Sequence, residues 1–337
     1  ATLQILSAIK NEFPFPVLAD VAMSKSVIGV LWGLAFVVIE SIQFVYFGGL
    51  FQRMSSLEFG FLVFGIASAA FIAWSMVKSP EQMKAAFANP ATLIIVNVLA
   101  CIAVAAFLMS VQLIEPAVSY TIGAGTMPLT AYAAYRLGVS EADAMRNRTE
   151  ALGNLILFIS IGFLILATIV GWTGFVRGGP MVAIAGVLCA IAAGIMFTVW
   201  LMYCQRLSRA GVGPSAVFGL RFPLYVLMVG GLALAGVDQR APLDFSETVF
   251  IIAVGLALTV PPLYALQMAV ATVSTMTISV LSALGPFVIF VLQIIEGRVD
   301  YSQATLAGLA VYFVGALLAA FGAVRATVAS SAAVTDP

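Results

Sequence analysis

Histidine is missing from this chain of 337 residues, and charge is scarce in it. Without histidine there is no imidazole metal ligand and no group that shuttles protons near neutral pH by default. Any proton coupling must then use a carboxylate. Only 9% of the residues are charged, where a soluble domain carries about 25%. Cysteine is rare too: Cys101, Cys189 and Cys204 all lie in apolar runs, at no disulfide or metal spacing, and read as small buried hydrophobes. No phosphate loop, nucleophile elbow, metal motif or carboxylate cluster is present. No enzyme activity, cofactor or metal is therefore expected. The net charge is zero, with no basic tail, so nothing points to nucleic acid.

What is present is apolar. Hydrophobic residues make up 62% of the chain, and its mean hydropathy is +1.11. The useful ruler is the bilayer, which needs about 20 apolar residues per crossing helix. Ten apolar segments can be drawn: 27–50, 56–78, 90–114, 116–138, 151–172, 180–205, 214–236, 246–268, 270–295 and 302–325. Short connections such as Lys78-Ser79-Pro80-Glu81, Arg177-Gly178-Gly179-Pro180 and Glu296-Gly297-Arg298 separate most of them. The cuts at 114–116 and 268–270 rest on length, with Pro116 marking the first. The expected fold class is all-α: a polytopic membrane protein of ten transmembrane helices. Residues 1–25 are mixed in polarity, broken by Pro14 and Pro16, and lack the pattern of a signal peptide. They read as an N-terminal extension on the cytoplasmic side.

The distribution of basic residues tests the count of ten. With ten spans, Lys10, Lys25, Lys78, Lys84, Arg136, Arg146, Arg148, Arg206, Arg209 and Arg325 fall on one side. Arg53, Arg177, Arg240 and Arg298 fall on the other, and Arg221 lies within a span. This asymmetry predicts a multi-pass protein of the cell (inner or plasma) membrane with both termini cytoplasmic.

The two halves echo each other. Gly29-Val30-Leu31 is repeated at Gly186-Val187-Leu188, 157 residues on. FGFLVF (59–64) and VFGLRF (217–222) fall in equivalent second helices, and Pro128 matches Pro286 at an offset of 158. Ser119 then falls opposite Thr277. Five helices per half is an odd number, so the second copy must enter the membrane upside down. Many secondary transporters share such an inverted repeat. The domains expected are a first repeat over 26–172, a second over 180–328 and a cytoplasmic tail over 329–337.

Three motifs carry a resemblance. The first helix holds Gly29-Val30-Leu31-Trp32-Gly33. The seventh begins Gly213-Pro214-Ser215-Ala216-Val217-Phe218-Gly219-Leu220-Arg221-Phe222. The ninth and tenth read SVLSALGPFVIFVLQIIEGRVDYSQATLAGLAVYFVGALLAAFG (279–322). Over about residues 27–325 the chain resembles the drug/metabolite transporter superfamily, in its EamA-type branch. It departs from the pattern in having Phe64 where the second half has Arg221, and in its Ile294-Ile295-Glu296-Gly297-Arg298 exit. The resemblance implies ten helices, a central cavity between the repeats, and alternating access for small polar metabolites, often outward.

Ionisable residues inside a membrane are costly and each is a candidate site. Glu40 lies near the middle of the first helix. Trp32, Phe36, Glu40, Gln43 and Phe47 are spaced by three or four and share a face. A carboxylate among aromatics and an amide suits a cation, an amino group or a proton. It could equally be a hydrogen-bonded group that fixes packing. Arg221 could grip a carboxylate or phosphate, or snorkel to the cytoplasmic surface. Asn97, Tyr264 and Gln267 join Glu40, Gln43, Trp32, Phe36 and Arg221 as candidate substrate contacts. Of the other polar residues in spans, including Ser119 and Tyr120, packing is the better expectation for each. Glu115, at a turn, reads as solvated. Trp74, Trp172 and Trp200 read as interface anchors. Pro128, Pro286, Pro261 and Pro262 mark helix breaks near a substrate path, or kinks made for packing.

The leading expectation is a secondary transporter, exporter or exchanger, of a small polar or zwitterionic metabolite such as an amino acid. A quaternary amine or lipophilic cation is the alternative substrate. A non-transporting membrane subunit is the alternative of another class. The expected partners are a small-molecule substrate and the lipid bilayer, with room for a homodimer or larger membrane assembly.

Overall fold

The computed structural model describes residues 25–141, 145, 147–238, 243–273, 275–297 and 299–335. The expected N-terminal extension lies outside them apart from Lys25, as do Arg146, Arg240 and Arg298. The described chain is helical, with one isolated bridge between Ile114 and Val176. Its helices are α1 (Lys25–Leu50), α2 (Ser56–Lys78), α3 (Pro80–Phe87), α4 (Pro90–Leu113), α5 (Pro116–Arg136), α6 (Arg148–Val170) and α7 (Pro180–Arg209). Then follow α8 (Pro214–Leu220), α9 (Pro223–Leu234), α10 (Phe245–Val270), α11 (Thr275–Ser282), α12 (Gly285–Glu296) and α13 (Gln303–Thr335).

Local sequence sets these boundaries. Six helices begin on a proline, whose missing N–H costs nothing at the first helical position. Ser55, Asn147 and Asp244 cap α2, α6 and α10 by accepting from Leu57, Glu150 and Ser246 backbone N–H groups. Gly171 and Gly297 end α6 and α12 at φ 83° and 74°, a left-handed turn that glycine takes without strain. Both doubtful cuts are present, at Leu113/Pro116 and Val270/Thr275. The last helix continues to Thr335, past the expected tail boundary, because its Ala-rich end contains no breaker after Gly322.

Among the described residues, eight helical stretches are long and apolar enough to cross a membrane: Val27–Leu50, α2, α4, α6, α7, Pro214–Leu234, α10 and Gln303–Gly322. Large apolar side chains such as Leu155, Leu166, Leu188 and Phe321 stand exposed on their outer faces, a surface made for lipid rather than water. The protein is a polytopic all-α membrane protein. Of the expected spans, α5 is more polar than these eight, and α11–α12 is interrupted.

Lateral packing follows small residues. α13 lies along α6, where Gly308, Gly315 and Gly322 recur every seven residues. A Cβ at Gly315 would sit 2.8 Å from Leu157 N and 2.9 Å from Gly153 O. Such close backbone approach replaces hydrophobic driving force, which lipid removes. α4 packs along α7, α1 along α10, and α2 against both α8 and α9.

One expected span is broken where the sequence reading drew it continuous. Pro223 cannot donate to Gly219 O and its ring clashes with it, so α8 ends at Leu220 and α9 starts anew. Neighbours satisfy the freed groups. Ser68 Oγ donates to Gly219 O at 2.6 Å, Asn97 Nδ2 donates to Leu220 O at 2.7 Å, and Leu224 N donates to Asn97 Oδ1 at 3.3 Å.

Glu115 overturns its expected solvation. It is fully buried at the α4–α5 turn. Its carboxylate accepts from Gly174 N (2.8 Å), Gln293 Nε2 (2.5 Å) and Thr305 Oγ1 (2.8 Å). Burial pushes its pKa up, and these three donors pull against that. The turn is therefore tied to the α6–α7 connection, α12 and α13. Arg53 meets Glu247 at 3.2 Å, joining the α1–α2 turn to the start of α10. A separate set joins the opposite helix ends. Glu141 pairs with Arg206 at 2.8 Å and Arg209 at 3.8 Å, Asn147 donates to Gly322 O, and Gln82 accepts from Gly213 N at 3.1 Å.

Candidate functional site

The described helices enclose a cavity of about 90 Å3. That is room for several waters, since one needs roughly 10–15 Å3 on the same measure. Its wall is drawn from α1, α2, α4, α5, α7, α10 and α11, so distant parts of the sequence meet there. Most of it is aromatic or small, including Phe36, Phe44, Phe64, Phe107, Phe197 and Trp200. The rings lock one another: Phe44 lies 4.5 Å from Phe107 and 4.7 Å, edge to face, from Tyr120.

Glu40 is the one charged residue in that wall. The Tyr120 hydroxyl donates to its Oε2 at 2.9 Å. Three residues on along α1, Gln43 Nε2 donates to Thr259 Oγ1 at 3.0 Å, bracing α1 on α10. Ser110 and Ser119 share a 2.6 Å hydrogen bond across α4 and α5. Ser282 closes the wall at the C-terminal end of α11. Pro286 follows four residues later, so the Ser282 carbonyl has no i+4 backbone donor. Chemically, the site offers one carboxylate, a few hydroxyls and several π-faces. That suits a group of positive charge with apolar substituents.

The sequence candidates divide. Phe36, Glu40 and Gln43 line the cavity. Trp32 does not; it packs edge-on against Tyr264 at 6.3 Å, and Tyr264 stacks obliquely on Phe71 at 5.9 Å. Asn97 is absent from the wall because it braces the α8–α9 break. Arg221 and Gln267 lie outside the wall and bond to each other, Nη1 to Oε1 at 3.0 Å. Arg221 neither snorkels nor pairs with Glu40. It is 1% exposed, between the ring faces of Trp200, Phe218 and Phe222 at 4.5, 4.7 and 4.6 Å. Trp200 is fully buried, which corrects its reading as an interface anchor; Trp74 and Trp172 are exposed as expected.

The proline signals sit beside the wall rather than in it. Met127, Leu263 and Ser282 line the cavity next to Pro128, Pro262 and the Pro286 break. Pro128 stays inside a continuous α5 and Pro261–Pro262 inside α10, whereas Pro286 stands at the start of a new helix. Tyr120 and Ser282 were the residues undervalued from sequence. Their only signal was a hydroxyl in an apolar run, which most often bonds to neighbouring backbone.

No family model matches the chain, and no curated protein matches it. Solved structures do match its fold. One of them, described only as "Crystal structure of protein", aligns over 86% of this chain and 96% of its own length, with a TM-score of 0.61 and 16% sequence identity. The fold is thus one already seen in solved structures.

Proposed function

We propose that this protein is a secondary transporter whose central cavity takes a small solute bearing an amine or quaternary ammonium group. One observation carries the reading: Glu40 is the only charged residue lining an aromatic cavity built from helices of both halves. A cation loses water on entering and recovers the cost from a carboxylate and π-faces. An acidic solute would meet no cationic side chain in the wall. The exclusion of Arg221 from that wall favours this substrate class over a zwitterion held by Glu40 and Arg221 together.

The transport reading draws on the pattern of contacts. Counting α5 and α11–α12 as spans gives ten, and the turn contacts described above then join helix ends on the same side. An inverted two-fold relates spans one and eight (α1, α10) to spans six and three (α7, α4), and both pairs pack closely. It also pairs span two with span seven and span five with span ten, which pack closely as well. Two such bundles can rock about the cavity to expose it to each side in turn. The basic-residue asymmetry supports a topology with both termini in the cytoplasm. With the motifs at 29–33, 213–222 and 279–322, this supports placement beside the EamA-type drug/metabolite transporters. An open cavity also counts against an assembly subunit that no longer transports.

The test is counterflow or uptake in proteoliposomes, with choline-like amines, amino acids and organic acids as competitors. Amines should compete and acids should not. Glu40→Gln should lower uptake at least about tenfold, a loss of about 1.4 kcal/mol in cation binding. Amine transport that survives Glu40→Gln would overturn the role given to Glu40.

A further inference from the structure

We propose that the residues around Arg221 form a binding site for a small anion, separate from the Glu40 carboxylate. Arg221 carries a full charge in the interior of the fold, 1% exposed, where a charge is held only if something compensates it. No carboxylate among the described residues is within ion-pair distance of it. Its polar contacts are Gln267 Oε1 at 3.0 Å, the Leu263 carbonyl at 3.5 Å and the Cys204 thiol, all neutral. The three ring faces lower the cost without cancelling the charge.

A second observation points the same way. Three buried atoms in this cluster have no hydrogen-bond partner: Arg221 Nε, Trp200 Nε1 and Gln267 Nε2. All three are donors. Leaving even one neutral donor unpaired in a buried place costs about 1–3 kcal/mol, so three beside an unpaired cation call for an acceptor. The nearest candidate in the chain is the Cys204 thiol, which lies against both Trp200 and Arg221. Sulfur is a weak acceptor and a neutral thiol adds no charge. Unpaired donors around a net positive charge select against cations and favour an anion. Water could occupy the donors but would leave the charge standing.

Access comes through the wall the two sites share. Trp200 and Leu263 line the cavity and also contact the Arg221 guanidinium. The ligand class is a halide or a single carboxylate group, the size that one guanidinium edge and two N–H groups can hold. It comes free from solution. The inference does not depend on which solute is carried.

The test is thermal unfolding of the purified full chain in detergent at constant ionic strength. Sodium gluconate, too bulky for the cluster, serves as reference against sodium chloride, bromide and formate. Expected is a saturable rise in Tm with halide, formate or both. Halide alone identifies a halide site, and formate alone identifies a site for a small carboxylate. Trp200→Phe keeps a ring face but removes the indole N–H, and should weaken the apparent affinity several-fold. Arg221→Met should abolish the response. If Arg221→Met does not fold, Trp200→Phe and crystals soaked in bromide decide the matter. An anomalous peak within hydrogen-bond reach of Arg221 Nε supports the site. No Tm response to any of the three anions, an unchanged response in Trp200→Phe, or bromide peaks elsewhere only would overturn it. A loss of transport without a change in these readouts would bear on the proposed function alone.

Discussion

The Tyr120 hydroxyl points its proton at Oε2 of Glu40 across 2.9 Å, so that a residue near the start of α5 holds the carboxylate of α1 in place. The bond fixes the Glu40 carboxyl in the cavity wall. Tyr120→Phe removes the donor and keeps the ring that packs on Phe44. Amine transport should show a KM raised by about three- to tenfold, as one hydrogen bond is worth about 1 kcal/mol, with Tm nearly unchanged. Initial rates in proteoliposomes check this, and an unchanged KM would remove Tyr120 from the site.

Glu115 fastens four segments through one side chain. Glu115→Ala would leave Gly174 N, Gln293 Nε2 and Thr305 Oγ1 without their acceptor. Stranding buried donors of this kind costs about 1–3 kcal/mol each before relaxation. A loss of at least about 2 kcal/mol is expected in the unfolding of the purified protein. Glu115→Gln should recover part of it, because its amide oxygen still accepts.

Glu141 gives a pH dependence of known sign. The Arg206 guanidinium, bonded to both its carboxylate oxygens, holds its pKa at about 2, below the ordinary 4.5. The folded state thus binds this proton less readily than the unfolded one. The stability it contributes is present above pH 4.5 and is lost as pH falls from 4.5 towards 2. Arg206 is 43% exposed and Arg209 is 64% exposed, so solvent screens the pair and about 1 kcal/mol is expected. Chemical unfolding of wild type and Glu141→Gln should differ at pH 6 and converge near pH 2.

Asn97 serves the break at Pro223 rather than the cavity. Asn97→Leu would strand Leu220 O and leave Leu224 N without its side-chain acceptor, a cost of about 1–3 kcal/mol. Thermal stability should fall while the substrate profile of whatever protein survives stays the same. A changed profile at unchanged stability would return Asn97 to the list of substrate contacts.

Much of the architecture could be read from the sequence because the solvent dictates it. In hydrocarbon every backbone group must bond within its own segment, so apolar runs of span length must be helices. Proline and glycine then mark where they start and stop. That logic located the breaks at Leu113/Pro116 and Val270/Thr275. It misjudged Pro223, since a proline in an apolar run can kink, break or be absorbed, as Pro128 is. Which of these occurs depends on whether neighbours such as Ser68 and Asn97 can take up the freed groups.

The sequence by itself determined an all-helical membrane protein, its short connections and the few polar residues that a bilayer would not tolerate without reason. Only the tertiary structure decided what those residues do. Trp32 and Glu40 share a helix face on paper, yet one packs on Tyr264 and the other lines the cavity. Arg221 and Trp200 lie 21 positions apart in sequence and meet as a cation on a ring face, while Glu115 finds its partners 59 to 190 residues away. Periodicity assigns a residue to a side of its own helix. The partner on that side is set by how the helices pack, which depends on contacts between distant segments that local pattern does not encode.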